Sequence, residues 1–250
     1  MARQTGPIKV SGTIGDIVFY KTKSGYFIKR KPRFDAKRFA TDPAFAIQRK
    51  TMAELSRNSK ASKLIRQAFA IPLTQIEDSG IHNRLNKVMA KVTQGDKTNE
   101  RGRRNPADGE ITLLEGFDFN EKSPLRDLLP AFTASIDRKT GRMVIRISKF
   151  AGKKRFAIPP NATHFRLQAT AAALNFGDNQ YIHTATQSPD FPIKGALPGQ
   201  FTLQLSLPPG NQHPLFLALS ISFLGECNGG IMPLSSSIHN AMTLVKVCGL

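Results

Sequence analysis

The chain has 250 residues, 40% of them apolar, which is enough for a packed core and excludes a disordered polymer. It carries 36 Lys and Arg against 18 Asp and Glu, a net charge of +18. That excess goes beyond what solubility needs and points to an anionic partner: nucleic acid, an acidic membrane or an acidic protein surface. The charge is uneven, since residues 1–109 hold 23 Lys and Arg against 9 Asp and Glu, and residues 110–250 hold 13 against 9. The first part is therefore the expected anion-binding module.

Ile14 to Lys21 and Tyr26 to Lys31 are runs of β-branched and aromatic residues separated by Thr22-Lys23-Ser24-Gly25. This reads as a β-hairpin, because a glycine near the end of a short loop takes the positive φ that closes the turn. Gly12 and Gly15 mark a tight bend or bulge before it, and Pro32 ends it. Alternation sets Ile17, Phe19 and Lys21 on one face, and Val18 and Tyr20 on the other. Lys21, Lys23, Lys29, Arg30, Lys31, Arg33, Lys37 and Arg38 form a dense cationic cluster here, with Tyr20 and Tyr26 placed for phosphate or base contact. The same residues also fit a half-buried core fringed by solvated lysines.

Thr41-Asp42-Pro43 reads as a helix start. Helix propensity then runs to about Ala70, with a break expected at Asn58-Ser59. At 100° per residue Arg49, Lys50, Arg57, Lys60 and Lys63 share an arc of about 140°, with Ile47, Leu55, Ile65 and Phe69 broadly opposite. A second helix over about Gly80 to Thr93 shows an apolar stripe of Ile81, Leu85, Val88 and Val92 beside Arg84, Lys87 and Lys91. Residues 94–109, QGDKTNERGRRNPADG, read as a linker that carries Arg101, Arg103 and Arg104. Asp108, Glu110, Glu115, Asp118, Glu121 and Asp127 then make an acidic strip, either an internal counter-surface or a dock for a neighbour's hairpin.

From Ala131 the pattern is all-β, with seven short strands expected at Ala131–Asp137, Met143–Ser148, His164–Ala171, Gln180–Thr186, Phe201–Leu207, Leu215–Leu224 and Thr243–Val247. Seven strands in this length point to an immunoglobulin-like antiparallel β-sandwich. The expected fold class is α+β: a basic hairpin and helical module over residues 1–93, a linker and acidic connector over 94–130, and the sandwich over 131–250. Arg138, Lys139, Arg142, Arg146, Lys149, Lys153, Lys154 and Arg155 form a second, weaker anion-site candidate.

No catalytic constellation is legible. His82, His164, His183, His213 and His239 are scattered without metal-ligand spacing, and there is no phosphate-binding glycine loop or nucleophile elbow. Neither an enzyme, a metal nor a cofactor is expected. Cys227 and Cys248 read as buried thiols of a reducing compartment. No apolar run approaches the roughly 20 residues of a membrane span, and MARQTGPIKVSG lacks the apolar region of a secretory signal. The expected setting is the cytoplasm, or the particle of a phage or mobile element.

Gly12-x-Ile14-Gly15, Phe19-Tyr20-Lys21, Arg30, Pro32, Asp42-Pro43-Ala44-Phe45 and Gln48-Arg49 together resemble a signature of uncharacterised bacterial proteins common in Bacteroidetes. The likeness covers about the first 70 residues. It implies helices followed by a C-terminal β-rich part, and it carries no activity.

The residues themselves point to a nucleic-acid-binding structural protein, DNA or RNA, that neutralises phosphates without reading bases. The candidate contacts are the eight hairpin cations above, Arg49, Lys50, Arg57, Lys60 and Lys63 on the helix, and Arg101, Arg103 and Arg104 in the loop. The alternative is a self-assembling particle protein, a homo-oligomer in which the basic hairpin docks on the acidic strip of another copy.

Overall fold

The N-terminal strands are set by their turns. In the computed structural model, which describes residues 2–31, 35–150, 158–194, 199–227, 229–234 and 239–249, four strands open the chain: β1 (Ala2–Arg3), β2 (Gly12–Ile14), β3 (Ile17–Thr22) and β4 (Gly25–Arg30). They form an antiparallel sheet in the order β1-β4-β3-β2. Thr22 pairs with Gly25, which leaves Lys23-Ser24 as a two-residue hairpin loop. The bend expected at Gly12 and Gly15 is a further turn. Gly15, at φ +55°, reverses the chain so that Gly12–Ile14 pairs back on β3. Pro32, expected to end the hairpin, lies outside the described residues.

Helix α1 (Ala36–Thr41) starts at Asp35, whose Oδ1 accepts from the backbone N–H groups of Lys37 and Arg38 at 3.0 Å. Asp42 caps the next, 3-10 turn at Pro43–Phe45, with proline at its first position as the sequence indicates. Residues 1–49 form one compact unit and 50–250 another. No described residue of the first unit is buried.

Helix α2 (Ala46–Ala68) runs through Asn58-Ser59 without the expected break. The reason is tertiary. Asn58 is buried, and its Oδ1 accepts from Thr93 Oγ1 at 2.6 Å, so a residue that competes with helix elsewhere is satisfied inside one. A single turn, α3 (Ala70–Leu73), follows, then α4 (Ile81–Gln94), which buries Leu85, Met89 and Val92. A short α5 (Leu125–Leu128) precedes the β-rich part.

That part contains β5 (Phe132–Ile136), β6 (Arg142–Ile147), β7 (His164–Asn175), β8 (Gln180–Gln187), β9 (Phe191–Pro192), β10 (Phe201–Ser206), β11 (Leu215–Cys227), β12 (Gly230–Pro233) and β13 (Ala241–Cys248). Strands lie in all seven of the expected places, and β9 and β12 are additional. One sheet has the order β10-β6-β5. In the other, β11 pairs with β7 on one side and with β13 and β12 on the other, and β7 pairs outward with β8 and β9. Every pairing among these strands is antiparallel. The chain is thus α+β.

One core cluster joins the two sheets: Met143, Ile145 and Ile147 with Leu203, Leu205, Phe165, Leu167, Leu217, Leu219 and Phe223. The opposite face of the larger sheet, with Ala172, Leu174, Phe216, Ala218, Met242 and Leu244, is buried with Leu64, Ile65 and Phe69 of α2, Leu85, Met89 and Val92 of α4, and Ile111, Leu114, Phe117 and Phe119. This is why Leu215–Leu224 is apolar at nearly every position: a central strand covered on both faces has no solvent side.

This packing differs from the expected division at residues 93 and 130. Most of α2 and all of α4 belong with the sheets rather than with the hairpin, and the acidic connector contributes buried phenylalanines to the core. The thiols differ as well. Cys227, at the far end of β11, is exposed, Cys248 is half-buried, and the two are not joined. Among the described residues no helix is long and apolar enough to cross a membrane.

Candidate nucleic-acid interface

Strand register decides which hairpin cations share a surface. Val18, Tyr20, Phe27 and Lys29 lie on one face of the small sheet, and Ile17, Phe19, Lys21, Tyr26, Ile28 and Arg30 on the other. Each face places an ammonium group over a tyrosine: Lys29 Nζ is 5.1 Å from the Tyr20 ring centre, and Lys21 Nζ 5.5 Å from that of Tyr26. Tyr20 and Phe27 stack at 6.0 Å. None of Lys21, Lys23, Lys29, Lys31 or Lys37 pairs with a carboxylate among the described residues, and all five are exposed. Arg33 lies outside the described residues.

The arginines of this unit are partly committed. Arg30 approaches Asp16 at 3.8 Å with both side chains mostly in solvent, a pairing that water and salt screen strongly. Arg38 donates from Nε to Asp42 at 3.1 Å and stands over Phe45. The Ala44 backbone N–H, and after it the Arg38 side chain, hold the Asp42 carboxyl below its ordinary range. Arg49 is half-buried, and its Nη1 donates to the carbonyls of Phe39 and Asp42. It acts as a staple within the first unit.

The second unit carries the other cations. Residues 96–109 are an ordered loop, built on Asp96, which is 1% exposed. Burial would raise this carboxyl. The Asn99 side chain and the backbone N–H groups of Asn99, Asn105 and Thr98 outweigh burial and take its pKa down to about 2. The loop lies along α2. Arg57 donates from Nε to the Arg104 carbonyl at 2.7 Å and from Nη2 to that of Gly102. Glu54 accepts from the Gly102 backbone N–H at 2.7 Å, and Arg101 donates to Thr51 at 3.2 Å. Gly102, at φ +95°, sits so close to the Lys50 stem that a Cβ there would meet Lys50 Cγ at 2.6 Å.

The fold therefore brings Lys50, Arg57, Arg101 and Arg104 together, with Lys60 and Lys63 further along the same arc of α2. Lys50, Lys60, Lys63, Arg101 and Arg103 are exposed. Arg57 and Arg104 are half-buried, and Arg104 Nε is buried with no hydrogen-bond partner among the described residues. Arg57 holds the loop in place, a role that its position on the basic arc does not reveal.

Other cations are spent on the fold. Arg84 donates to Asp78 and, at 2.8 Å, to the Asp118 carbonyl, and stacks over Phe117. Burial works to raise the Asp78 carboxyl, but the Glu121 and Gly80 backbone N–H groups and Arg84 hold it below the ordinary range. In the second basic cluster Arg138 binds the carbonyls of Asn211, His213, Cys248 and Gly249. Arg142 donates to Gln204, Lys139, Arg146 and Lys149 are exposed, and Lys153, Lys154 and Arg155 lie outside the described residues.

The acidic strip is engaged within its own chain. Glu115 takes Lys246 Nζ at 3.1 Å and the Val247 N–H, Asp118 takes Thr243, and Glu121 faces Arg84 at 3.7 Å. Asp108 accepts from Asn99 and Asn105, Glu110 from Thr112, and Asp127 pairs with Arg126. Among the described residues no group of three or more His, Cys, Asp or Glu is placed to hold a metal ion.

No protein-family model matches the chain, and neither a curated protein nor a solved structure matches it.

Proposed function

We propose that the chain is a non-enzymatic structural protein that binds nucleic acid through its phosphates, with no base sequence required. The observation that carries this reading is the set of exposed lysines without carboxylate partners, among the described residues, on two ordered surfaces. These are Lys21, Lys23, Lys29, Lys31 and Lys37 on the hairpin unit, and Lys50, Lys60 and Lys63 beside the Arg101–Arg104 loop of the second unit. Residues 1–49 hold 11 Lys and Arg against 3 Asp and Glu, so the hairpin unit alone attracts a polyanion. Exposed lysines on ordered strands and a helix can meet phosphates without first breaking an ion pair. The cytoplasm, or a phage or mobile-element particle, is the setting that goes with this reading.

The test is a salt titration of nuclease-treated protein on labelled duplex DNA, single-stranded DNA and RNA of equal length. With six to ten phosphates engaged, affinity falls by about 10³ to 10⁵ between roughly 50 and 200 mM salt. Absence of binding to all three at the low end refutes the reading.

Assembly is the second reading, favoured by one observation. No described residue of the first unit is buried, and Ile8 and Ile14 are 81% and 66% exposed, so this small sheet lacks a core of its own. The acidic strip is engaged internally, which weighs against it as the dock. Light scattering that shows a monomer at high concentration and low salt removes assembly.

We also read the β-rich part as an immunoglobulin-like sandwich. The supports are that β5, β6 and β10 share one sheet, that β7, β8, β11 and β13 share the other, and that one core cluster joins them.

A further inference from the structure

A cavity of about 410 Å³ opens in the second unit between α2, the 96–109 loop and the turn from β7 to β8. It is lined by Arg57, Lys60, Asn105, Phe176 and Asn179 together with aliphatic surface, and by no carboxylate among the described residues. Its volume lies in the range of small-molecule sites, which combine an apolar or aromatic wall with a few fixed polar groups.

Each wall is held in place. Arg57 is anchored through Nε and Nη2 to two backbone carbonyls, which leaves Nη1 without a hydrogen-bond partner among the described residues. Asn105 Oδ1 accepts from the Ala107 and Asp108 N–H groups. In the β7–β8 turn Asn175 Oδ1 accepts from the Gly177 and Asp178 N–H groups, and its Nδ2 donates to Asp178 Oδ2. Phe176 is fixed edge-on against Phe216 at 6.4 Å. Asn179 adopts φ +55°, a conformation asparagine tolerates, and its amide has no partner among the described residues. Lys60 Nζ is likewise free of described partners, and the residue is exposed.

We propose that this cavity binds a nucleotide, with its phosphate at Lys60 and Arg57, its base against Phe176, and Asn179 hydrogen-bonding to the base edge. The ligand is either a free nucleotide or one unstacked nucleotide of a single strand. Its identity rests on the nucleic-acid reading, since cations beside an aromatic ring are the shared chemistry of single-strand sites. The chain's excess positive charge raises the local concentration of either form.

The experiment is calorimetric titration of the full chain with AMP, adenosine and inorganic phosphate, followed by competition against a single-stranded oligonucleotide. AMP is expected to bind about tenfold or more tightly than adenosine or phosphate alone, because only AMP engages both the charged and the aromatic wall. Lys60→Gln weakens AMP binding by about tenfold, the loss of one charge-assisted hydrogen bond. Asn179→Gly keeps the backbone conformation and weakens AMP and CMP alike, because the amide offers both a donor and an acceptor to either base. Both positions are exposed, and a circular dichroism melt shows whether each variant is folded. Displacement of AMP by the oligonucleotide assigns the site to a strand, and failure to displace it assigns a free nucleotide. A folded chain that ignores AMP, or a Lys60→Gln variant with unchanged AMP affinity, overturns the proposal. Oligonucleotide binding without AMP binding sinks the cavity and leaves the nucleic-acid reading standing. AMP binding without oligonucleotide binding does the reverse.

Discussion

Arg57 on α2 donates from Nε to the carbonyl oxygen of Arg104, 47 residues further along the chain, at 2.7 Å. One guanidinium thereby ties a helix to a loop that shares no local sequence signal with it. The planar fork reaches the two carbonyls from two nitrogens held at a fixed separation, whereas a lysine offers one nitrogen on a flexible stem.

Arg57→Lys is therefore expected to release the loop while keeping the charge. Stability falls by about 1 kcal/mol, the cost of leaving part-buried carbonyls short of a donor. Amide exchange at residues 101–105 rises. Equal exchange in variant and wild type would show that the contacts of Asp96, Glu54 and Thr51 hold the loop without Arg57.

Replacement of Lys29, Arg30 and Lys31 by alanine tests the hairpin. The slope of log affinity against log salt on duplex DNA should shrink by about 0.9 for each phosphate that is no longer neutralised. Lys246→Gln serves as the control, because its ammonium is already paired with Glu115 at 3.1 Å and should leave the slope alone. Equal slopes in the triple variant and the control would remove the hairpin from the interface.

Asp96 sets an acid limit. Its folded-state pKa of about 2 lies below the ordinary 3.8, so between these values the unfolded chain binds more protons than the folded one. Its contribution is fully present above the ordinary value and is lost as pH falls through the folded value. Asp96→Asn should lower stability at neutral pH by about 1–2 kcal/mol and flatten the acid dependence in that window. Urea midpoints at neutral pH and at about pH 3 check this, and a wild-type midpoint independent of pH there contradicts it.

Phe216 tests whether helices and sheet unfold together. Its ring is fully buried on the helix-facing side of β11, in one cluster with α2 and α4. Phe216→Ala should cost about 3–5 kcal/mol. Exchange should rise in α4 as well as in β11. A rise confined to the strands would separate the helices from the sheet energetically.

Much of the secondary structure is legible from neighbours in the chain. Ile14–Lys21 and Tyr26–Lys31 are β-branched or aromatic runs, Asp42-Pro43 is a helix start, and Phe201, Leu203, Leu205 and Leu207 alternate. These signals act over two to four residues, and the strands and helices form where they lie. The apparent break at Asn58-Ser59 and the apparent linker at 94–109 mislead because long-range bonds override local preference. Thr93 satisfies Asn58, and Asp96 with Arg57 orders a stretch whose composition reads as loose.

The candidate site is legible in the sequence only as a charge count. Residue types alone determined a basic, α+β chain with its positive excess in the first 109 residues. Only the tertiary structure decided which cations remain available. Arg84 and Arg138 resemble Lys60 and Lys63 in sequence, yet the fold delivers carbonyls or carboxylates to the first two and, among the described residues, none to the other two. The availability of a cation depends on partners that lie tens of residues away in the chain, and folding alone brings them within hydrogen-bond distance.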